Sequence, residues 1–467
     1  MHCQGNHPHG LVALKLRIPA RMALFGQDSY LVAAAVDPDR NEAMSPRRVL
    51  LTRLDTWVQK TLTAEDAVVL EMTTNSFQIY DDLLPHVHSV TVVHPPHVSL
   101  ITRAQVMTDK IAARTLAKLH AVGLLPPVWV PPPEVRDHRA LVAQRSKMVR
   151  LSTQAKNRLH AVLHRHHLLP PEGNPFTSAK REWWLGLEIS ELERARVQCD
   201  LEVLAFAKTQ FAHLEETMTA LAAQDERVPL LVQIQGIAWL TALTLLAAIG
   251  NISRFPTAKH LVGYAGLGVR VHDSGETHRS GRITKAGRRD IRAAMVEAAH
   301  TASRTHAHWR EELARLEPRL GKNKAIVAIA RKLLVTVWHV LSEGCADRFA
   351  DPEQVARKLL KHAHKLGRKH RAKGQTPAQY VRQQLDRLGQ GADETAKARA
   401  FVAAVRELLR AGADFRTRIP DDATLVHGGD STLLHLAACH DHADIAGLLL
   451  ARGIDAAAHR GAIDAGG

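Results

Sequence analysis

Aromatic residues are scarce: Phe, Trp and Tyr together make up 4% of 467 residues, so any core must be built from Leu, Val, Ile and Ala. The four cysteines, Cys3, Cys199, Cys345 and Cys439, lie far apart with no C-x-x-C pair. That spacing excludes a disulfide-stapled secreted scaffold and a zinc finger, and it predicts reduced thiols. Long hydrophobic runs are also missing. The longest apolar stretch, residues 238–249, is too short to span a bilayer. The first 21 residues contain His and Arg but lack the apolar segment of a signal peptide. Acid is in deficit, with 47 Asp and Glu against 62 Lys and Arg, a net charge of +15. A hydrophobic fraction of 45% and a charged fraction of 23% describe a globular chain whose excess positive charge points to nucleic acid. No membrane partner is expected.

At roughly 100–200 residues per domain, the length predicts two to four domains. Residues 1–21 read as an irregular leader, with Met22 as an alternative start. From 22 to 130 the pattern is mixed. Three short apolar runs of strand length, at 30–37, 67–71 and 89–93, are separated by helical patterns such as 105–121, which reads as an α/β domain. The proline-rich segment 126–134 marks a rigid boundary. Residues 131–227 hold two long helical patterns, 135–163 and 189–223, broken by Pro170-Pro171-Glu172-Gly173-Asn174-Pro175. They are expected to pair antiparallel as a coiled-coil arm used for dimer contacts. A mostly helical region follows at 228–390, and the tail is 391–467. The last 78 residues carry 8 basic and 11 acidic side chains, a net −3, so the preceding 389 carry +18.

Two clusters concentrate that charge. Arg279, Arg282, Lys285, Arg288, Arg289 and Arg292 are opposed only by Asp290 and are punctuated by glycines 275, 281 and 287. Eight basic residues lie between Arg357 and Lys373 with no acid, among them Lys361, Lys365, Arg368 and Lys369. Unrelieved like charge at i,i+4 costs helix stability, so polyanion binding explains the pair of clusters better than a solvated face. The turn Gln235-Gly236, leading into an apolar helix, is a weaker candidate phosphate grip. His164-Arg165-His166-His167 has no partner Cys or Asp nearby and reads as a solvated helix end.

Residues 234–295 closely resemble the C-terminal domain of insertion-sequence-110-type transposases. The matching pieces, in order, are G-I-x-x-x-T-A, A-x-I-G-x-I-x-R-F, Y-A-G-L, S-G and I-T-K-A-G-x-R-x-I-R. More loosely, Glu71 in V-L-E-M-T-T-N-S and Asp109 in T-D-K match acidic elements of that family's N-terminal domain, and His94-Pro95 stands where Asn-Pro is usual. The resemblance implies an α/β RNase H/RuvC-like N-terminal domain, a long helical middle and a mostly α transposase domain carrying a serine nucleophile. It also implies Mg²⁺ held by clustered carboxylates, a DNA substrate and a structured guide RNA. Clustered acids suit this chemistry because two metal ions can clamp a phosphodiester.

Carried over residue by residue, Glu71 and Asp109 are the metal ligands and Ser274, in H-D-S-G, is the nucleophile. Two acidic positions depart from the pattern. Ala112 stands three residues after Asp109, and Leu24, or Phe25 in a shifted register, occupies the expected first-strand position. Asp28 is the nearest carboxylate and the candidate to fill the gap. The expected function is a transposase or recombinase of an insertion sequence, cutting and joining DNA. The alternative is an impaired copy that only binds nucleic acid. A homo-oligomer in the cytoplasm, associated with the nucleoid, is expected. In the tail, S-T-L-L-H-L-A-A at 431–438 and the elements around 405–414 and 453–455 resemble a short, α-helical run of ankyrin repeats, which implies a docking surface for a protein partner.

Overall fold

Two units meet between Pro132 and Pro133. The computed structural model describes residues 10–17, 30–37, 39, 41–96, 108–274, 277–345, 347–367 and 370–390. The ankyrin-like segments, Asp28, Leu24, Arg368 and Lys369 all lie outside the described residues.

The first unit is a five-stranded sheet in the order β3-β2-β1-β4-β5. Its strands are β1 (Gly10–Arg17), β2 (Tyr30–Val36), β3 (Glu42–Leu50), β4 (Asp66–Glu71) and β5 (Ser89–Val93). Strands β1, β2 and β3 pair antiparallel in sequence, whereas β4 runs parallel to both β1 and β5. The helices are α1 (Leu54–Thr61), α2 (Ser76–Leu83) and α3 (Asp109–Ala121).

Two expectations are corrected here. Residues 10–17 are not irregular: they form the central strand, and the sequence GLVALKLR has the length and apolar content for it. Strand β3 was not foreseen because Pro46 and three charged residues disguise it. It is tolerated because β3 is a sheet edge, and Pro46 falls where the pairing with β2 slips between Arg47 and Met44.

Every residue of β2 is buried, because both faces of the sheet are covered. Leu31, Ala33 and Ala35 join Val68, Leu70 and Val92 under α1 and α2. On the opposite face Val36, Val69 and Val93 pack against Leu116 and Ala117 of α3, and Tyr30, Val32 and Ala34 pack against Ala113.

The second unit opens with an arm. Helices α4 (Pro133–Arg165) and α6 (Glu191–Gln224) lie side by side, with the five-residue α5 (Arg181–Leu185) between them. Ion pairs Arg145–Glu215 (2.9 Å), Arg158–Asp200 (2.5 Å) and Arg165–Glu193 descend along one helix as they rise along the other, so the pair is antiparallel, as the sequence predicts. The far end has its own small core. Trp184 is fully buried among Leu159, Leu163, Val197 and Leu201, and its indole N–H donates to the carbonyl of Pro175 at 2.8 Å. At the near end Val142, Met218 and Ala222 belong to the main core.

That core is built by α7 (Arg227–Val232), α8 (Trp239–Ile249), α9 (Ala258–Tyr264), α10 (Arg289–Thr305), α11 (Ala307–Leu320), α12 (Lys322–Glu343), α13 (Pro352–Leu366) and α14 (Pro377–Gln390), with a hairpin of β6 (Val269–Ser274) and β7 (Thr277–Ile283). Among the described residues, α12 is the one helix long and apolar enough to cross a membrane, a length the sequence reading did not anticipate. Its face bearing Ile326, Ile329, Leu333, Val337 and Val340 is buried in this core. Gly236, proposed above as a phosphate grip, serves packing instead. Its φ is +79° and a Cβ there would lie 2.0 Å from the Ala298 carbonyl oxygen, while Gln235 and Ile237 are fully buried.

Candidate nucleic-acid interface

Glu71 closes β4 and is half-buried. Because side chains alternate along a strand, it shares the face of Val69, which is the face α3 covers. The parallel register places it one step beyond the Leu14–Leu70 pair, at the carboxyl ends of β1 and β4. Asp109 is the first residue of α3, one turn before the Ala113 that packs on Tyr30 and Val32. Thr108 caps that helix, its hydroxyl accepting from the Ile111 N–H at 3.3 Å. The fold thus brings Glu71 and Asp109 to one face and one edge of the sheet, the edge at which α/β sheets bind ligands. Ala112 adds no carboxylate there. Among the described residues no three His, Cys, Asp or Glu side chains gather as a metal site. Two carboxylates alone do not complete one.

Ser274 belongs to the second unit. It ends β6 and pairs with Thr277 across the hairpin turn. The foot of this hairpin is where the motifs of residues 264–267 and 283–292 meet. Gly266 (φ +69°) and Gly287 (φ +109°) admit no side chain, since a Cβ would stand 2.4 Å from the Ala286 oxygen and 2.2 Å from the Tyr264 oxygen. Backbone bonds join the two segments: Thr284 N–H to Gly268 (2.8 Å), Lys285 N–H to Gly266 (3.1 Å) and Arg288 N–H to Tyr264 (2.8 Å). The motifs are therefore a clamp that fixes the hairpin to the core.

The predicted basic residues fall into two groups. Arg282, Lys285 and Arg289 are exposed. Arg288 pairs with Asp290, its Nε 3.0 Å from Oδ1, and Arg292 donates to the Ala265 carbonyl at 2.7 Å, so both serve the clamp. Arg279 lies on β7. The second cluster divides likewise. Lys361 is exposed, whereas Lys365 pairs with Glu215 of the arm and sits 5.2 Å over the Trp239 ring. Lys358 is half-buried and donates to the carbonyls of Val232 (2.8 Å) and Ile234 (3.1 Å), and desolvation pushes its pKa down to about 8.

Sequence reasoning missed Arg139 and Arg254, which approach Tyr264. Arg139 donates to Ala247 and Ala248 at the end of α8, and Arg254 lies 4.5 Å over the Tyr264 ring. Burial lowers the pKa of both. No charge run signals them, because they come from α4 and from the turn after α8.

Comparison with known proteins adds kinship. The family described as Transposase IS116/IS110/IS902 matches residues 228–314, and a second family, described as Transposase and of the IS110 DEDD type, matches residues 28–168. A Sinorhizobium fredii protein named as a transposase is 27% identical over 237 residues, which cover 51% of this chain and 55% of that protein. The pilin gene-inverting protein of Moraxella bovis is 27% identical over 280 residues, 56% of this chain and 75% of its own length. The transposase for insertion sequence element IS1111A of Coxiella burnetii is 25% identical over 261 residues, 54% and 71% respectively.

Proposed function

Related through both matched segments to the IS110/IS116 family of transposases, the chain is, we propose, a recombinase that cuts and rejoins DNA at the ends of an insertion sequence. The observation that carries this reading is the clamped hairpin, with Ser274 at its turn, the exposed Arg282 at its foot and the exposed Lys285 and Arg289 just beyond. In the proposed step the Ser274 oxygen loses its proton and forms a bond to phosphorus, a phosphorus–oxygen bond of the DNA strand breaks, and the departing strand oxygen takes up a proton to become a hydroxyl. Rejoining reverses the exchange with a second strand. The cations at the foot hold phosphates farther along the same strand.

The DEDD-type match suggests a divalent cation, Mg²⁺ by resemblance. Glu71 and Asp109 would hold it, with Asp28 as the candidate third ligand, and it would polarise a phosphodiester bound at the first unit. The mixed sheet backed by helices on both faces supports an RNase H/RuvC-like reading of the first unit. A structured guide RNA, a cytoplasmic and nucleoid-associated location, an oligomer assembled through the arm and a protein partner for the tail belong to the same proposal. The impaired-copy alternative is favoured by Ala112 and by the lack of a three-acid cluster among the described residues.

An assay of strand exchange on a plasmid substrate separates the two. Ser274→Ala is expected to abolish joining while retaining binding. Ala112→Asp is expected to raise divalent-cation-dependent activity in part, by restoring a carboxylate on the helical face of Asp109. An unimproved Ala112→Asp together with a fully active Ser274→Ala would leave only the binding reading.

A further inference from the structure

Beside the hairpin foot the second unit contains a cavity of about 1460 Å³. One wall is the half-buried face of α12, with Val327, Ala328 and Val335. Another is the foot itself, with Val269 (39% exposed) and Ile283. Its aromatic side is Trp309 with a stacked pair, His308 and Phe349, whose ring centroids lie 4.0 Å apart at 14°. Around the opening stand the exposed cations Arg282, Lys324, Arg331 and Arg348. Among the described lining residues the one acid is Asp347. It is buried, with Oδ1 accepting from the Phe349 N–H at 3.3 Å, so the field over the mouth is positive.

We propose that this cavity seats unstacked bases of a single nucleic-acid strand, its apolar and aromatic walls receiving the bases and its rim cations the phosphates. An apolar, aromatic interior inside a cationic rim is the arrangement that binds single strands without sequence preference. A duplex does not fit, because its bases are stacked and paired away from such walls. The volume exceeds the roughly 300–1000 Å³ of an ordinary small-molecule site, which allows more than one nucleotide. DNA and RNA share this chemistry, since the walls meet only bases and phosphates. The proposal rests on the reading of the chain as a nucleic-acid-processing protein and specifies the state of the strand at the foot of the hairpin whose turn carries Ser274.

The test uses the full chain and fluorescence anisotropy. The probes are a labelled ten-nucleotide DNA strand, the same sequence as RNA, an abasic ten-nucleotide DNA strand of equal charge, and a twenty-base-pair duplex. The based strand is expected to bind at least tenfold more tightly than the abasic one, and the DNA and RNA arms report which backbone is preferred. Phe349→Leu should collapse the based-to-abasic ratio towards one. The double variant Lys324→Glu with Arg331→Glu, at two exposed positions, should weaken both strands at least tenfold and the duplex less than twofold. Equal affinity for based and abasic strands, or single-strand affinities unmoved by the double variant, would overturn the proposal while duplex binding still upheld the broader reading. Failure to bind any probe would sink both. Displacement of the strand by a polyglutamate twenty-mer more readily than by unlabelled strand would assign the cavity to an acidic protein segment instead.

Discussion

At the scale of single residues, positions that a sequence reader scores as binding or turn residues turn out to carry geometry. Gly287 combines a positive φ with a backbone carbonyl 2.2 Å from the place of a Cβ. Gly287→Ala is therefore expected to cost about 1–3 kcal/mol or more, from strain and collision together, measured by denaturant unfolding. His362 carries a second prediction. It is buried, its Nε2 donates to the Thr219 carbonyl at 3.1 Å, and its Nδ1 accepts from the Tyr380 hydroxyl at 3.0 Å, which requires the neutral ring. Burial lowers its pKa from the ordinary 6.5 to about 4. The unfolded chain then binds the proton that the folded chain refuses. The stabilisation is full above pH 6.5 and is lost as pH falls to 4, by roughly 3 kcal/mol. His362→Gln should flatten the stability profile in that window. An unchanged slope would show that another group governs it.

At the scale of elements, the arm was the most legible feature. Two uninterrupted helical patterns joined by a proline-rich break announce an antiparallel pair, because 3.6-residue periodicity over thirty residues has few other outcomes. The sheet was half legible. Strands β2, β4 and β5 are plain apolar runs, but β1 was hidden in a segment taken for a leader, and β3 violates strand composition because an edge tolerates it. The candidate site was legible as residue types and not as geometry. Sequence nominates Glu71, Asp109 and Ser274 as candidates, yet only the register shows the two acids on one sheet edge, and only the clamp shows why Arg288 and Arg292 are not free for phosphate. Helix α6 also keeps Leu192 (83% exposed) and Phe206 (54% exposed) on its outer side. If the arm joins copies of the chain, Leu192→Glu with Phe206→Glu should convert an oligomer to a monomer in sedimentation while circular dichroism stays unchanged. A variant that still sediments as the oligomer would remove the arm from that role.

At the scale of the whole molecule, charge is distributed unevenly, with +18 over the first 389 residues and −3 over the rest. Duplex affinity should fall steeply with salt, because each neutralised phosphate releases a counterion. Replacing Arg282, Lys285 and Arg289 together by Ala should reduce the slope of log affinity against log salt by about three units, near 0.9 for each contact. These three are chosen over Arg288 and Arg292 because they are exposed and the other two hold the clamp. A slope unaltered in the triple variant would place the duplex on another surface.

Neither long helix of the arm contains a glycine, and the one proline, Pro133, stands at the first position of α4. From Val142 in the main core to Leu163 in the terminal cluster, α4 rises about 30 Å at 1.5 Å per residue. That is close to one helical turn of duplex, 34–36 Å. The arm is in this sense a gauge: a stiff spacer that sets one interval between whatever its two ends hold. Excising seven residues from each helix, in register, would preserve the packed seam and shorten the gauge by about 10 Å. The protein would still fold, and any spacing it measures on DNA would change by a fixed step.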